Sequence, residues 1–355
     1  MSQIKTKQAG RVAARIAEEL KGLIAAGKMT VGQYLPGIRD IARARSVSPE
    51  TARRALKLLE SEHWLRCYPG HGFKITAKAN DPAASAPVAF ILSGREDAGR
   101  WTSFGQQLLS AMYKAAERRG WSMLGIGAGG RSTAEVIDEI RKSRASGLLI
   151  DTANQELASE LLRLGIPTVL VEELWPGLDS VTQDNFGGAL QAAEYLVHRG
   201  HRRLGIFGIL GSTVQGRERW AGAQVAARLG DARFIAEGRI GQDSGGTQKD
   251  IERLRRSLRG PDRITGILCL WWNVASVVAG ILEEEGASTE LVSWCPREQL
   301  QEFRASWPGK SLPATVVWSI EELGEAALAR LGERRERPDT APVRISVKVE
   351  LLPAE

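Results

Sequence analysis

The strongest constraint on the fold is a regular alternation of short apolar segments with amphipathic segments between residues 88 and 352. Apolar segments such as Val88–Leu92, Gly147–Ile150 and Arg203–Phe207 have the length of buried strands. Segments such as Phe104–Arg119 have the apolar periodicity of helices. Strands that alternate with helices form parallel sheets covered on both faces. The number of units predicts two α/β lobes with a cleft between them.

A change in composition divides the chain. Residues 77–87 are rich in Ala, Pro and small polar side chains, which indicates a linker. We therefore expect a small domain at 1–76 and a larger one at 88–355, as the total of 355 residues allows. No apolar run approaches the roughly 18 residues of a membrane helix, and the first residues lack a secretory signal. These features favour a cytoplasmic protein.

The first domain is predicted to contain three helices and a hairpin. Helix one covers about Lys7–Ala26, and helix two begins at Pro36. Ser48 is a candidate N-cap for helix three, which runs to about Glu62. Two strand-like segments within residues 64–76 are joined by a glycine-rich turn. This order is that of a winged helix-turn-helix, whose third helix enters the major groove of DNA.

The distribution of charge supports DNA binding. Residues 1–78 hold 15 Lys and Arg against 6 Asp and Glu, a net charge of +9. The other 277 residues hold 33 against 36, a net charge of −3. Helix three is predicted to bury Ala52, Ala55, Leu56 and Leu59 and to expose Thr51, Arg53, Arg54 and Lys57. Arginine and lysine neutralise phosphates, and arginine also bonds guanine bidentately.

The segments Gly32–Ala42 and Val47–Glu60 resemble the GntR-type winged helix. In that family the arginine after the Leu-Pro pair, the start of helix three and the wing tip touch DNA. The resemblance implies DNA contacts at Arg39, Ser48, Thr51, Arg53, Gly70, His71 and Gly72. Pro49 stands where the family often has arginine, so one contact is expected to be missing.

The larger domain is similar to the effector domain of LacI/GalR regulators, which are relatives of periplasmic sugar-binding proteins. The resemblance rests on Ser180–Ala189, Ala192–Leu196, Gly200–Leu204 and Arg217–Gly222 in that order. The combination resembles arabinose-responsive repressors. It implies a homodimer that binds a DNA operator and senses a small molecule, expected to be a sugar.

Family topology predicts the composition of the two lobes. Lobe one would contain about 88–183 and 319–335, and lobe two about 186–317 plus the C-terminal strands, with Ile345–Leu352 as the last strand. The cleft between them would hold the effector.

Several residues are candidate effector ligands. The resemblance places Asp184 and Arg219 at the cleft, where the planar donor fork of arginine could hold hydroxyls or a carboxylate. Trp272-Asn273 and Cys295-Pro296 replace acidic positions of the family. Aromatic faces stack on sugar rings, although these tryptophans could equally fill the core or a dimer face. The further candidates are Trp101, Trp271, Trp272, Asn273 and Trp294.

Two alternatives remain open from the sequence. Gly125–Gly130 fits a dinucleotide-binding pattern after a strand, which would suit a nicotinamide-dependent oxidoreductase. However, the next helix is expected to begin only near Ser132, so a simple turn is favoured. The second alternative is a DNA-binding protein whose C-terminal domain only dimerises. No hydrolase, ATPase or zinc motif occurs, and we expect a regulator without enzyme activity, metal or cofactor.

Overall fold

The computed structural model describes residues 2–25, 28–30, 32–61, 64–68, 72–75, 86–92, 103–151, 154–208, 213–240, 248–309 and 311–355. The chain divides into two compact units, Met1–Ala86 and Pro87–Glu355. The division falls at the carboxyl end of the segment that composition indicates as a linker.

The first unit contains three helices and an antiparallel hairpin, as predicted. They are α1 (Ser2–Ala25), α2 (Ile38–Ala44), α3 (Pro49–Ser61), β1 (Leu65–Tyr68) and β2 (Gly72–Ile75). Helix α2 begins two residues later than expected, because the carbonyl of Gly37 accepts the N–H of Ile41 and so starts the helical ladder. The core of this unit joins Ile16 and Leu20 of α1 to Leu56 of α3 and Ile75 of β2.

The second unit contains two parallel sheets flanked by helices. Its strands are β3 (Val88–Leu92), β4 (Met123–Gly127), β5 (Gly147–Ile150), β6 (Thr168–Val171), β7 (Asp179–Gln183), β8 (Arg203–Phe207), β9 (Arg233–Gly238), β10 (Gly266–Cys269), β11 (Glu290–Pro296), β12 (Ala314–Trp318), β13 (Arg344–Val347) and β14 (Glu350–Leu352). Its helices are α4 (Ser103–Arg118), α5 (Thr133–Ser143), α6 (Gln155–Leu164), α7 (Asn185–His198), α8 (Val214–Leu229), α9 (Gln248–Ser257), α10 (Trp272–Glu284), α11 (Leu300–Ser306) and α12 (Ile320–Glu336).

Each sheet has six strands and forms one lobe. The order in lobe one is β4-β3-β5-β6-β7-β13, and the order in lobe two is β9-β8-β10-β11-β12-β14. Among the described strands of these two sheets, only β12 and β14 pair antiparallel. The backbone passes between the lobes from β7 to α7, from β12 to α12 and from β13 to β14. This two-lobed α/β fold confirms the predicted fold class.

The C-terminal strands correct one part of the predicted division. We expected Ile345–Leu352 to form a single strand in lobe two, whereas β13 pairs with β7 of lobe one and only β14 pairs with β12. Asp179 provides the reason. Its carboxylate accepts the N–H of Val343 at 2.7 Å and bonds two arginines of α12, so the chain that leaves α12 is held beside β7.

Three elements were not identified as such from the sequence. They are β7, β12 and α11. The two strands are fully buried, and each ends where the chain passes from one lobe to the other. No described helix is both long and apolar enough to cross a membrane.

Candidate DNA-binding surface and effector cleft

The start of α3 is fixed by the predicted serine cap. Ser48 Oγ accepts the N–H of Thr51 at 3.2 Å and lies 2.9 Å from Thr51 Oγ1. Pro49 occupies the first helical position, where a missing N–H has no cost. Thr51 is only 9% exposed, so our expectation that it lies on the exposed face is wrong. It stands four residues before the buried Ala55 and therefore shares the inner face of α3.

The outer face of α3 is basic and accessible. Arg53, Arg54 and Lys57 are exposed, as is Arg39 on α2. Glu50 lies 3.1 Å from Arg53 and 3.6 Å from Arg54. Exposed ion pairs of this kind contribute little to stability. Both guanidinium groups can therefore exchange Glu50 for a phosphate or a base edge at small cost.

The wing of the first unit is the hairpin of β1 and β2, of which residues 65–68 and 72–75 are described. Gly72 opens β2 with φ of +90°, a conformation that favours glycine. Gly70 and His71, two predicted contacts, lie outside the described residues.

An aromatic pair on the wing sheet was not anticipated. The rings of Tyr34 and Tyr68 meet edge to face at 6.2 Å, and both are exposed. Lys74 lies 5.7 Å from the first ring and Arg66 lies 5.8 Å from the second. Tyr34 reaches this position through a bridge to β2, a pairing that period and composition do not show.

In the second unit, side chains at the carboxyl ends of the strands connect the two lobes around Arg219. Its Nε donates to Asn185 at 2.8 Å and its Nη1 donates to the carbonyl of Leu270 at 2.5 Å. Its guanidinium lies 4.0 Å from the ring centre of Trp294. Arg219 is 5% exposed, and burial lowers its pKa to about 10. The predicted cleft arginine is therefore a buried cation inside a polar network.

Glu172 completes this network and was missed by the sequence reasoning. It follows β6 with φ of +58° and is buried. Its carboxylate accepts the backbone N–H of Gln183 at 2.7 Å and the side-chain amide at 2.9 Å. Gln215 of lobe two donates to the Glu172 carbonyl. Burial raises the pKa of Glu172, although these hydrogen bonds and the charge of Arg219 oppose the shift.

The predicted aromatic ligands occupy different environments. Trp294 has no exposed surface, and its Nε1 donates to Gln183 at 2.6 Å, so it lies beneath the cleft rather than in its lining. Trp271 is half-buried and meets Phe104 of lobe one edge to face at 5.5 Å. Trp272 donates to Gln299 at 2.8 Å within lobe two.

The remaining predicted cleft residues differ in what they contact. Asp184 caps α7 by accepting the N–H of Gly187 at 2.9 Å. Asn273 is half-buried in the first turn of α10. Trp101 lies outside the described residues.

Two buried polar atoms near Phe104 lack a hydrogen-bond partner among the described residues. They are Trp318 Nε1, at the end of β12, and Gln107 Oε1, one turn after Phe104 on α4. The rings of Phe104 and Trp318 are 6.0 Å apart. Buried polar atoms without a partner are costly, and an ordered water, an ion or a ligand can satisfy them. This edge of the cleft is therefore suited to a ligand with both a donor and an acceptor.

A cavity of about 460 Å³ opens on lobe two. Its lining comes from α8, β9, the residue after β9, and α9. The residues that give it chemical character are Arg217, Trp220, Glu237, Arg239, Asp250 and Arg253. Arg217 also acts electrostatically on Glu173, which follows β6 of lobe one; burial raises the pKa of Glu173 and Arg217 opposes that shift. Arg217 and Trp220 lie in a segment that carries the family resemblance, but none of the six was predicted to contact a ligand, because they converge from three elements.

The glycine-rich turn does not begin a helix. Gly127 ends β4, and α5 starts at Thr133 after a capping box between Ser132 and Glu135. The third glycine of a dinucleotide fingerprint would have to open the helix, whereas Gly130 precedes the cap. The described residues contain no cluster of His, Cys, Asp and Glu suited to a metal ion.

Comparison with known proteins agrees with both halves of this description. Residues 12–75 match the family described as bacterial regulatory proteins, gntR family. Residues 96–230 match periplasmic binding proteins and the sugar-binding domain of the LacI family. A helix-turn-helix transcriptional regulator of Streptomyces coelicolor is 34% identical over 90 residues, which cover 25% of this chain and 29% of that protein.

Other known proteins align over most of the chain in sequence or in fold. The arabinose metabolism transcriptional repressor of Geobacillus stearothermophilus is 22% identical over 292 residues, covering 77% of this chain and 78% of that protein. A transcriptional regulator CelR–cellobiose complex has a TM-score of 0.64 at 18% identity, covering 90% of this chain and 99% of the other. The lac repressor dimer bound to operator and an anti-inducer has a TM-score of 0.63 at 18% identity, covering 76% and 93%.

The first unit thus contains a GntR-type winged helix, and the second has the two-lobed architecture of LacI-type, periplasmic-binding-like domains. The chain joins these two kinds of domain.

Proposed function

We propose that this protein is a homodimeric transcriptional repressor whose operator affinity is controlled by a saccharide bound between the two lobes. The observation that carries the proposal is the basic outer face of α3, with Arg53, Arg54 and Lys57 exposed on a helix whose other face is buried. A helix of this kind inserts into the major groove and reads bases with its arginines. Because an operator is cytoplasmic DNA in bacteria, the proposed repressor would act in the cytoplasm.

The effector site is the cleft between the lobes. Half-buried Trp271 offers a ring surface, and Trp318 Nε1 is a donor without a partner among the described residues. The cavity beside Arg217 adds charged groups. Saccharide sites combine aromatic faces with convergent polar groups. The relatives named for arabinose metabolism and for a cellobiose complex support the saccharide class.

Effector binding is expected to act through the contacts that connect the lobes. The amide of Gln215 bonds the Glu172 carbonyl, and Glu218 forms a two-pronged ion pair with Arg344 of lobe one, both contacts at 2.6 Å. A ligand that favours one lobe separation shifts the population toward the arrangement with these bonds made or broken. The change reaches the DNA-binding domain through residues 77–87.

A second copy of the chain is expected to cover an apolar surface formed near the two sheet edges. Strands β4 and β9 are edge strands of their sheets, and Leu124 and Ile235 on them are exposed. Tyr113 on α4 and Leu229 on α8, the latter 79% exposed, extend this apolar surface. Dimers of helix-turn-helix proteins read two half-sites related by the protein symmetry.

The test begins with operator selection from a random DNA library, using the full chain and fluorescence anisotropy. Arg53→Ala and Arg54→Ala should each weaken binding to the selected duplex by about 1–3 kcal/mol. Arg228→Ala, which removes one positive charge from the second unit, is the matched control. If each variant lost the same affinity for the selected duplex and for random DNA, both arginines would contact phosphates and not bases.

Adding ligands to the protein–DNA complex then distinguishes a sensor from an oxidoreductase and from a domain that only dimerises. A saccharide that releases the selected DNA supports the sensor. If NADH alone binds and is oxidised with a substrate, the oxidoreductase is the better description. If Leu229→Glu separates the dimer and abolishes operator binding while no ligand acts, the second unit serves dimerisation only.

A further inference from the structure

The cavity on lobe two is lined by charged side chains, most of which are arginines. Arg217 and Trp220 are three residues apart on α8 and therefore share one face. Arg239 follows β9, and Arg253 projects from α9 toward the same space. Three guanidinium groups thus surround about 460 Å³ together with two carboxylates, those of Glu237 and Asp250.

The positions of these groups are fixed to different degrees. Arg253 is held in place, because its Nη1 donates to the carbonyl of Glu237 at 2.9 Å and lies 3.7 Å from Asp250. Arg217 is exposed, and its charge acts on Glu173 of lobe one. The indole of Trp220 rests on Phe234 at 5.3 Å, which fixes the plane of its ring beside the arginines.

We infer that this cavity binds the charged end of an acidic saccharide, a sugar carboxylate or sugar phosphate. This inference rests on the proposed sensor function and specifies its ligand class. Arg217 and Arg253 bind the anion through their planar donor forks. Glu237 and Asp250 accept hydroxyls, and Trp220 lies against the sugar ring.

A neutral saccharide fits this set less well for an electrostatic reason. Arg253 lies beside Asp250, whereas Arg217 forms no ion pair within 4 Å among the described residues and acts only electrostatically on Glu173. Closing the lobes over the cavity would remove water from the Arg217 guanidinium, which is costly without a hydrogen-bonded counter-charge. A carboxylate or phosphate on the ligand supplies that charge and forms short, charge-assisted hydrogen bonds.

The experiment uses the full chain and matched ligands at constant ionic strength. Glucose, galactose and mannose are each compared with their uronic acid and their 6-phosphate, with inorganic phosphate as a further probe. Thermal unfolding detects binding, since a ligand that binds only the folded state raises the midpoint. Titration calorimetry then gives the dissociation constants for Arg217→Gln and for Arg228→Gln, which removes the same charge from the last turn of α8.

The expected result is that acidic members raise the midpoint and their neutral parents do not. Arg217→Gln should weaken binding of the acid by roughly tenfold or more, and Arg228→Gln should not. A weak response to inorganic phosphate that Arg217→Gln abolishes supports the same assignment and favours a phosphate source.

Two results would overturn the inference. Equal binding of neutral sugars and their acids, with no effect of Arg217→Gln, would leave the sensor function intact and reject the acidic class. The inference would also be rejected if no acidic sugar raised the unfolding midpoint. Operator binding by the same preparation reports separately whether the DNA-binding part of the proposed function stands.

Discussion

Replacing Asp179 tests whether one buried carboxylate holds lobe one together. Its side chain is fully buried and accepts four hydrogen bonds. They come from Arg330 Nη2 at 3.0 Å, Arg334 Nε at 2.6 Å and Nη2 at 3.0 Å, and the N–H of Val343 at 2.7 Å. These bonds connect β7, α12 and the start of β13, which are distant in the chain.

The expected cost of Asp179→Ala follows from the partners that remain. Removing one member of a buried ion pair typically costs about 3–5 kcal/mol. Arg330 retains Glu333 at 2.9 Å, and Arg334 retains the carbonyl of Pro338 at 2.8 Å. We therefore expect the lower end of the range, about 3 kcal/mol. That is a fall of roughly 6–12 °C in the unfolding midpoint for a domain of this size.

The assay is urea unfolding of the full chain, with the transition of the second unit followed by tryptophan fluorescence. Glu333→Ala is the matched control, because it removes an exposed partner of the same Arg330 and should cost less than about 1 kcal/mol. If Asp179→Ala costs no more than Glu333→Ala, the carboxylate does not stabilise the lobe and the reasoning is refuted.

The same variant makes a pH prediction. Burial alone would raise the pKa of Asp179, but the bonds from Arg334, Val343 and Arg330 outweigh it and lower the pKa. A lowered folded pKa contributes stability above the unfolded value of about 3.9 and loses it as pH falls through the folded pKa. The difference between wild type and Asp179→Ala should therefore be constant near neutrality and shrink in acid.

Three further predictions concern single residues. Ser48→Ala should destabilise the first unit by about 1 kcal/mol through loss of the cap of α3, measured by thermal unfolding. Gly222→Ala should be strongly destabilising, because a Cβ there would lie 2.2 Å from the carbonyl oxygen of Phe186. Gly280→Ala should stabilise by about 0.5–1 kcal/mol, because its added Cβ would have no atom of the described residues within 4 Å. Burial raises the pKa of Glu172, so its contribution to stability is complete below the unfolded value of about 4.3 and is lost as pH rises through the folded pKa. Glu172→Gln should thus be more stable than wild type at neutral pH, and a gap that persists at pH 3 in urea unfolding would contradict this.

The order of most helices and strands could be predicted, because each is determined by sequence features within its own segment. Helix α3 has its cap, its proline and its buried stripe within thirteen residues, and the structure places its ends within a residue of the prediction. The exposure of Thr51 was predicted incorrectly for a local reason as well. A polar side chain at the edge of the stripe can turn inward when the cap supplies a partner, and polarity alone does not indicate this.

The cleft could be predicted only in outline, because its chemistry depends on contacts between distant segments. Asp184 stands at a position carried over by resemblance, yet its carboxylate is occupied in capping α7. Trp294 has the expected location at a strand end but no exposed surface. Periodicity shows that a side chain is at the end of a strand, whereas its accessibility depends on what the opposite lobe places over it.

Glu172 illustrates the part of the site that only three-dimensional packing defines. In the sequence it is one of two adjacent glutamates after an apolar segment, and nothing in that pattern predicts burial. In the structure it adopts φ of +58° and turns into the interior, where Gln183 and Gln215 bond it. Non-glycine residues held in this conformation cost roughly 1–3 kcal/mol, and they persist where the surroundings over-determine them. A strained, buried carboxyl that contacts both lobes is an element whose energy depends on lobe separation, which is what a sensor requires in order to convert binding into movement.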